Sequence, residues 1–482
     1  MKKGLSRIEH VLTVHIRTFL QKTLTADQIR YLSFFMSLIT CLLDANVAVF
    51  SLFTPAFITK LQYTQVSINI IAGSMLIGLY LTLPLLGYLA DSHGPVLLAL
   101  IGILVSPGYF FAWEIYAKKL GEWYMAVAFF FIGMGTSSAY FCSLLTCARI
   151  FPDRKGLSIS LPVTCYGLSS FLLAWVFTWD IFVNKDTGII NLEKIFLFLS
   201  TLYLIVCAIN WISSVVVSLE KEIIYAKLFE NERNEGIRTS VPVNNYNSIE
   251  NNLNEDVEII EEGILDAGVI DTVSHEDKFK LFLKDPSMKL VLISLFCLAG
   301  PLELFMSNLG SIIENVNGGG EKDISTQVAI FSISSTITRL SMGVLSDIFH
   351  SCLSTIVLIH ASVILNMIGF TLVAIDYQHF EIISVIIGIG YGTVFTMFPT
   401  LVATVWGVEI FGSTWGLFLS APAIGSVVFG LFYAIEYDSR CESGGNEFCL
   451  KIPFVVFIVI VFIGGLCIQS GWLRFWRKRG CL

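Results

Sequence analysis

The sequence predicts an all-α membrane protein whose twelve transmembrane helices form two pseudo-symmetric six-helix bundles. Three observations support this fold class: the composition, the number of long apolar segments, and an internal repeat. Hydrophobic residues make up 55% and charged residues 14% of the 482 positions, whereas soluble domains carry roughly 25% charged residues. This composition argues against a soluble domain and favours a chain surrounded by lipid.

Apolar segments of about 20 residues, the length that crosses a bilayer, recur twelve times. Each is expected to be a helix, because a segment in lipid must satisfy its backbone hydrogen bonds internally. The predicted spans are 31–53, 67–90, 95–113, 123–146, 157–179, 195–217, 290–310, 325–346, 353–375, 382–403, 413–435 and 453–473.

These spans divide the chain into five parts. They are a cytosolic N-terminus (1–30), an N-terminal bundle (31–217), a linker (218–288), a C-terminal bundle (289–473) and a basic cytosolic tail (474–482). Lys and Arg concentrate in the loops on the side of both termini, which places that side in the cytosol.

The linker 218–288 carries the net negative charge of the chain and reads "VPVNNYNSIENNLNED" in its middle. A polar, acidic segment with few aromatic residues is expected to be largely disordered. Its stretch "EDVEIIEE", residues 255–262, departs from the usual acidic-dileucine form but suggests a contact with sorting adaptors. The acidic charge balance gives no indication of nucleic-acid binding.

Cysteines are scattered singly and show no metal-ligand spacing. Cys441 and Cys449, in the loop before the last span, could form a disulfide if that side is oxidising, or remain free thiols. No ATP-binding motif, nucleophile–base pair or metal cluster is apparent, so the sequence predicts neither an enzyme nor a cofactor.

Two distant apolar spans end with the same spacing of glycine and aspartate. "GYLADSHGP" contains Gly87 and Asp91, and "GVLSDIF" contains Gly343 and Asp347. At nearly the same offset, "IFPDRKGLSISLP" from residue 150 aligns without a gap with "IFGSTWGLFLSAP" from residue 410. Such repeats are typical of transporters whose two halves move around a site near the bilayer midplane.

Part of the first pattern has a local explanation. Asp91 and Gly94 are residue types that commonly end a helix, and Pro95 suits the first turn of the next helix. Capping alone does not require the same spacing in both halves, so we expect a second role for these residues.

With the segments "RIFPDRKGLSIS", "FMSNLGSIIEN" and "EIFGSTWGLFLSAPAIGS", these motifs resemble the major facilitator superfamily. Within it they are similar to a nodulin-like, monocarboxylate-porter-like branch with fungal members in the vacuolar membrane. The resemblance implies a secondary transporter with alternating access. It also implies a cytosolic gate at Gly87, Asp91, Gly94, Gly343 and Asp347, and a vacuolar location, with the plasma membrane as the alternative.

Charged residues inside a membrane are costly and therefore indicate function. The spans contain three: Asp44, Glu303 and Arg339. Asp44 and Glu303 occupy nearly equivalent positions of the repeat, and the resemblance places both spans beside the transport path. Either carboxyl could take up and release a proton or bind the solute; alternatively, each could be a packing residue satisfied by a hydroxyl.

Arg339 has no counterpart in the first half, where Leu83 is the aligned residue. It could bind an anionic solute, pair with one of the carboxylates, or extend to the interface. Tyr391, in "IIGIGYGTVF", could face a ligand. The arginine resembles one in animal monocarboxylate carriers, but Ser335 stands where those have an aspartate, and the lysine of their first helix is missing. A classical monocarboxylate is therefore not the expected solute.

Two functions fit these observations. A proton-coupled or uncoupled transporter of a small solute is favoured, since long cytosolic extensions typical of sensors are not seen. A transporter-like sensor or scaffold that binds a solute without carrying it is the alternative. Measured flux of a solute distinguishes the two.

Overall fold

The computed structural model describes residues 2–44, 50, 53–63, 65–151, 154–177, 179–182, 191–237, 275–310, 312–313, 321–349, 352–437 and 450–477. All regular elements within this part of the chain are helices. In the first half they are α1 (Lys2–Thr23), α2 (Ala26–Leu43), α3 (Thr54–Leu61), α4 (Gln65–Leu76), α5 (Leu83–His93), α6 (Val96–Gly102), α7 (Val105–Lys118), α8 (Glu122–Ile150), α9 (Lys155–Phe177) and α10 (Leu192–Ile237).

The second half contains a similar series. It comprises α11 (His275–Lys284), α12 (Pro286–Ser307), α13 (Glu321–Phe349), α14 (Cys352–Ala374), α15 (Phe380–Val405), α16 (Phe411–Phe418), α17 (Ser420–Tyr437) and α18 (Lys451–Gly471). Short π-helical segments at Ile77–Leu81 and Trp472–Trp476 join α4 to α5 and extend α18.

Eleven stretches in the described residues are long and apolar enough to cross a membrane. They correspond to the second through twelfth spans predicted from the sequence. The first predicted span, 31–53, is helical through Leu43 and then again from Thr54, with residues 45–49 outside the described part. Asp44 forms the C-cap of α2, with an extended backbone at φ −82° and ψ 109°.

The chain packs as two halves, α2–α10 and α12–α18, that meet along two main helix pairs. One pair is α9 with α13 and the other is α5 with α16. Each pair joins one helix from each half, so the two interfaces are related in the same way as the repeat. The end of the molecule that holds both glycine–aspartate motifs also holds α1 and Trp476, and we call it the terminal face.

Small residues bring helices into backbone contact within the first half. A Cβ placed on Gly133 of α8 would lie 2.2 Å from the Met75 carbonyl oxygen of α4. A Cβ placed on Gly78 would lie 2.2 Å from the Phe130 carbonyl oxygen. The small-residue run "IGMGTSSAY" therefore serves helix packing, as such runs do in membrane proteins.

The predicted linker 218–288 departs from the expectation of disorder at both ends, because residues 218–237 continue α10 and its last residues lie in α11 and the start of α12. Residues 275–284 form α11, and Asp285 caps α12 by accepting hydrogen bonds from the Ser287 backbone N–H (2.9 Å) and hydroxyl (2.8 Å). The helix forms because its aromatic residues pack on the bundles: Phe279 contacts Tyr88, and Phe282 contacts Trp406. Residues 238–274, with the predicted adaptor segment, lie outside the described part, as do Cys441 and Cys449.

Candidate functional site

Asp91 connects the two halves at the terminal face. Its carboxylate accepts hydrogen bonds from the backbone N–H groups of Gly412 (3.1 Å) and Ser413 (2.5 Å), in the first turn of α16. That helix has no side-chain cap of its own at Ile410. A carboxylate at a helix N-terminus satisfies free N–H groups and interacts favourably with the helix dipole, so Asp91 caps a helix of the opposite half.

Asp347 makes the same kind of contact in the reverse direction. Its two carboxylate oxygens accept hydrogen bonds from the backbone N–H groups of Gly156 (2.7 Å) and Leu157 (2.8 Å), in the first turn of α9. The two predicted gate motifs therefore each cap a helix of the other half. The repeat in the sequence appears in the structure as a pair of reciprocal inter-half contacts.

The motif glycines allow this approach. A Cβ on Gly87 would lie 2.0 Å from the Gly412 carbonyl oxygen, and a Cβ on Gly343 would lie 2.0 Å from the Ser160 hydroxyl oxygen. A methyl group at Gly87 would therefore meet the backbone of α16, and one at Gly343 would meet the Ser160 side chain of α9. Gly94 has a different role, because its φ of 96° ends α5 in a conformation that glycine adopts readily.

Among the described residues, cations lie within ion-pair distance of Asp91 but not of Asp347. Arg149, at the end of α8, donates from Nη2 to Asp91 Oδ1 at 2.5 Å, and the Asp91 side chain is fully buried. His275 Nε2 of α11 lies 3.9 Å from Asp91 Oδ2 and 3.1 Å from the Ser413 hydroxyl. The helix α11 therefore touches both halves at this contact, and the Tyr88 ring packs against His275 at 4.9 Å.

Within the membrane region, each carboxyl predicted from the sequence is bonded to a tyrosine of its own half. The Tyr203 hydroxyl donates to Asp44 Oδ1 at 2.8 Å, and the Tyr391 hydroxyl donates to Glu303 Oε1 at 3.0 Å. Asp44 is fully buried, and within the described part of the chain its Oδ2 has no hydrogen-bond partner. Glu303 is partly exposed.

Arg339 lies across the boundary between the halves. Its Nη1 donates to the Val163 carbonyl of α9 at 2.9 Å, and its guanidinium carbon lies 5.5 Å from the centre of the Tyr391 ring. Among the ion pairs of the described residues, none joins Arg339 to Asp44 or to Glu303. Of the three alternatives for Arg339, pairing with a carboxylate is thus not seen among the described residues, and the guanidinium instead contacts a backbone carbonyl and an aromatic face.

The structure brings Glu303, Arg339 and Tyr391 together, and we call these three residues the Arg339 cluster. Asp44 lies outside it. Tyr140 is within electrostatic range of both Asp44 and Arg339, and its ring packs on Tyr166 at 4.3 Å. Tyr140 is thus near both Asp44 and the cluster, and Tyr166 packs beside it.

Sequence reasoning missed these tyrosines, Tyr80, Tyr140, Tyr166 and Tyr203. Tyr80 lies in the π-helical segment after α4 and is within electrostatic range of Glu303 and Arg339. Each tyrosine stands well inside an apolar span, where its hydroxyl needs a polar partner. Tyrosine in the middle of a span, rather than at its ends, is the signal that could have identified them.

The arrangement contains no obvious metal centre within the described ranges, where no group of three or more His, Cys, Asp or Glu could hold an ion. It does contain two halves joined by reciprocal capping contacts at one face, and a charged group, Arg339, at their boundary elsewhere in the bundle. These features define a multi-pass membrane transporter that works by alternating exposure of a central site.

The chain belongs to the Major Facilitator Superfamily, whose family model matches residues 36–430. It is similar over nearly its whole length to proteins named "Probable transporter MCH1". The identity is 38% for the one from Debaryomyces hansenii, covering 99% of this chain and 98% of that protein. For the one from Saccharomyces cerevisiae it is 31%, covering 98% of each.

Solved structures support the same fold. The proton:xylose symporter XylE superposes with a TM-score of 0.65 at 12% identity, covering 93% of this chain and 96% of that one. FucP in its outward conformation gives a TM-score of 0.57 at 15% identity, covering 90% and 98%. The family match and the similar proteins confirm the predicted superfamily and its role as a transporter, and the solved structures confirm the predicted fold.

Proposed function

We propose that this transporter binds its solute at the Arg339 cluster and moves it when the contacts at the terminal face open and close. The hydrogen bond from Arg339 to the Val163 carbonyl carries this proposal. It ties a charged side chain of one half to the backbone of the other, beside Glu303 and Tyr391. A solute that bonds Arg339 would compete with Val163 and so influence the contact between the halves.

Asp44 is the proposed proton site. Its Oδ2 is buried without a partner among the described residues, and a proton there would remove the cost of an unpaired buried charge. The tyrosines near Asp44 and Arg339 provide a polar connection from that proton to the solute. Tyr203, which bonds the other oxygen, holds the carboxyl in place.

The test is flux into vesicles containing the purified protein, with and without a pH gradient. Asp44→Asn should leave solute binding intact and abolish the response of flux to the gradient. Glu114→Gln, on the exposed pair with Lys118 at the end of α7, is the matched control and should behave as wild type. Unchanged pH dependence in Asp44→Asn would remove Asp44 from the coupling. Tight solute binding without flux in the wild type would favour a sensor.

We further propose that the protein resides in the vacuolar membrane, with the terminal face in the cytosol and the linker exposed to sorting adaptors. The sequence stretch "EDVEIIEE" supports the adaptor contact. Replacing Ile259 and Ile260 with Ala in a fluorescent fusion should move the protein to the plasma membrane. Retention at the vacuole would show that this stretch does not direct sorting.

A further inference from the structure

We infer that the transported solute is a zwitterion, with its anionic group bound by Arg339 and its cationic group by Glu303. The inference rests on the proposed function, which places the solute at the Arg339 cluster. It goes further in naming the charge that the solute must carry at each end.

The cluster contains one cation and one carboxylate that do not neutralise each other directly. Both contact Tyr391, which offers its ring face to the guanidinium at 5.5 Å and its hydroxyl to Glu303 at 3.0 Å. The tyrosine therefore contacts both charged groups. Because the Arg339 guanidinium and the Glu303 carboxylate both contact the Tyr391 side chain, they are close enough for one small molecule to bind both.

Each charged group keeps bonding capacity for a ligand. Arg339 is nine-tenths buried and uses Nη1 for the Val163 carbonyl, while its Nε has no partner. A guanidinium has five N–H donors and can bind a carboxylate through two of them. Glu303 is partly exposed and accepts the tyrosine hydroxyl on one oxygen only.

Charge balance favours a solute with both signs. An anion bound at Arg339 would bring negative charge towards Glu303, and a cation bound at Glu303 would bring positive charge towards Arg339. In a low-dielectric site both arrangements leave one charge without compensation, which is costly. A zwitterion compensates both charges and leaves the cluster neutral.

The surroundings indicate the body of the solute. The Tyr391 ring packs against Phe395 at 4.5 Å and Phe331 at 5.3 Å, and Tyr80 is close to the cluster. Aromatic side chains provide apolar contact area and stacking surfaces. We therefore choose α-amino acids with apolar or aromatic side chains as the first probes.

The experiment uses purified full-length protein and measures binding by thermal stabilisation. Each probe is a matched set: phenylalanine with 3-phenylpropionate and phenethylamine, and the corresponding acid and amine for each other proteinogenic amino acid. At least one amino acid should bind, and its singly charged analogues should bind roughly ten- to hundredfold more weakly, the loss expected for one charged hydrogen-bonded contact.

Two variants assign the ends of the solute. Glu303→Gln keeps an oxygen for the Tyr391 hydroxyl and should bind the amino acid and its deaminated acid equally. Arg339→Gln should bind the amino acid and its decarboxylated amine equally. Glu114→Gln should keep the wild-type preference, and size-exclusion chromatography confirms that each variant is folded.

Two results would overturn the inference: no zwitterion of the panel binds, or a singly charged or neutral analogue binds as tightly as its zwitterion. The flux assay separates this failure from that of the proposed function. Transport of an anion, a cation or a neutral solute through the Arg339 cluster would refute only the zwitterion. Absence of flux for every solute would refute the transport site itself.

Discussion

The two contacts at the terminal face perform the same task with different chemistry. Asp91 and Asp347 each bind two backbone N–H groups in the first turn of a helix from the other half. Asp91 is buried and paired with Arg149, with His275 beside it. Asp347 is partly exposed, and within the described part of the chain no cation lies within ion-pair distance of it.

The difference shows which features follow from the internal repeat and which occur at the Asp91 contact alone. Backbone capping is common to both contacts, whereas the cations and α11 belong to one. A buried ion pair is costly to break because it leaves an unpaired charge, whereas a partly exposed carboxylate can exchange its partners for water. We therefore expect the two contacts to open with unequal cost, the Asp347 contact first.

The largest effect is expected from Asp91→Asn. The change removes the partner of Arg149, whose Nε and Nη1 already lack partners, and should destabilise the closed state by about 3–5 kcal/mol. Hydrogen–deuterium exchange should become faster at the start of α16. The start of α9 serves as the internal control, and equal acceleration there would contradict independent contacts.

Asp347→Asn should have a smaller effect, about 1.5–3 kcal/mol, since it weakens charged hydrogen bonds without leaving a buried cation. Faster exchange should appear at the start of α9 rather than α16. An effect as large as that of Asp91→Asn would show that the Arg149 pair adds nothing to the first contact.

Replacing either motif glycine, Gly87 or Gly343, with alanine should lower the free energy of unfolding by about 1–3 kcal/mol through overpacking. Only one of the two variants should be rescued by a second substitution. Gly343→Ala meets the Ser160 side chain, whereas Gly87→Ala meets a backbone carbonyl. Adding Ser160→Gly should therefore recover much of the stability and transport lost in Gly343→Ala. Gly87→Ala cannot be rescued in this way, because it clashes with the backbone oxygen of Gly412. If Ser160→Gly did not rescue Gly343→Ala, the Ser160 side chain would not be the cause of its instability.

The smallest effect is expected from His275→Ala, which removes one hydrogen bond to Ser413 at about 0.5–1.5 kcal/mol. Exchange should increase modestly in α11 and at the start of α16. Lys280→Met, in the same helix but paired at the surface with Glu276 of that helix, is the matched control and should leave exchange at the start of α16 unchanged.

The fold class and the positions of the two glycine–aspartate motifs could be predicted from the sequence because they depend on short-range patterns. Long apolar spans must be helices in lipid, and the repeated glycine–aspartate spacing marked both motifs. Their binding partners could not be predicted, since each lies in the opposite half. Even the repeat alignment is misleading here: it pairs Gly156 with Gly416, whereas Asp91 caps Gly412 and Ser413.

That shift has a local cause. Phe151 precedes a proline, which disfavours helical backbone, and it adopts φ −122° and ψ 69°. Its aligned residue, Phe411, is followed by glycine and begins α16. The helix of the second half therefore starts a turn earlier than that of the first.

The charged residues of the membrane region could be identified because charge is energetically costly there. Their arrangement relative to one another could not be predicted. Asp44 and Glu303 are equivalent in the repeat, yet only Glu303 joins Arg339 and Tyr391. Asp44 bonds Tyr203 of α10 instead. Side-chain partners across a bundle depend on how each helix is rotated about its axis, and that rotation cannot be read from the sequence patterns alone.

The reciprocal caps also mean that neither half is complete by itself. The first turns of α9 and α16 obtain their N-terminal bonding partners from the other half, and α16 has only eight residues. When the halves separate, four backbone N–H groups must turn to water, and short helices with open ends fray easily. In the proposed transport cycle, opening these contacts would therefore unfold the first turns of α9 and α16, and closing them would refold each turn on the aspartate of the other half.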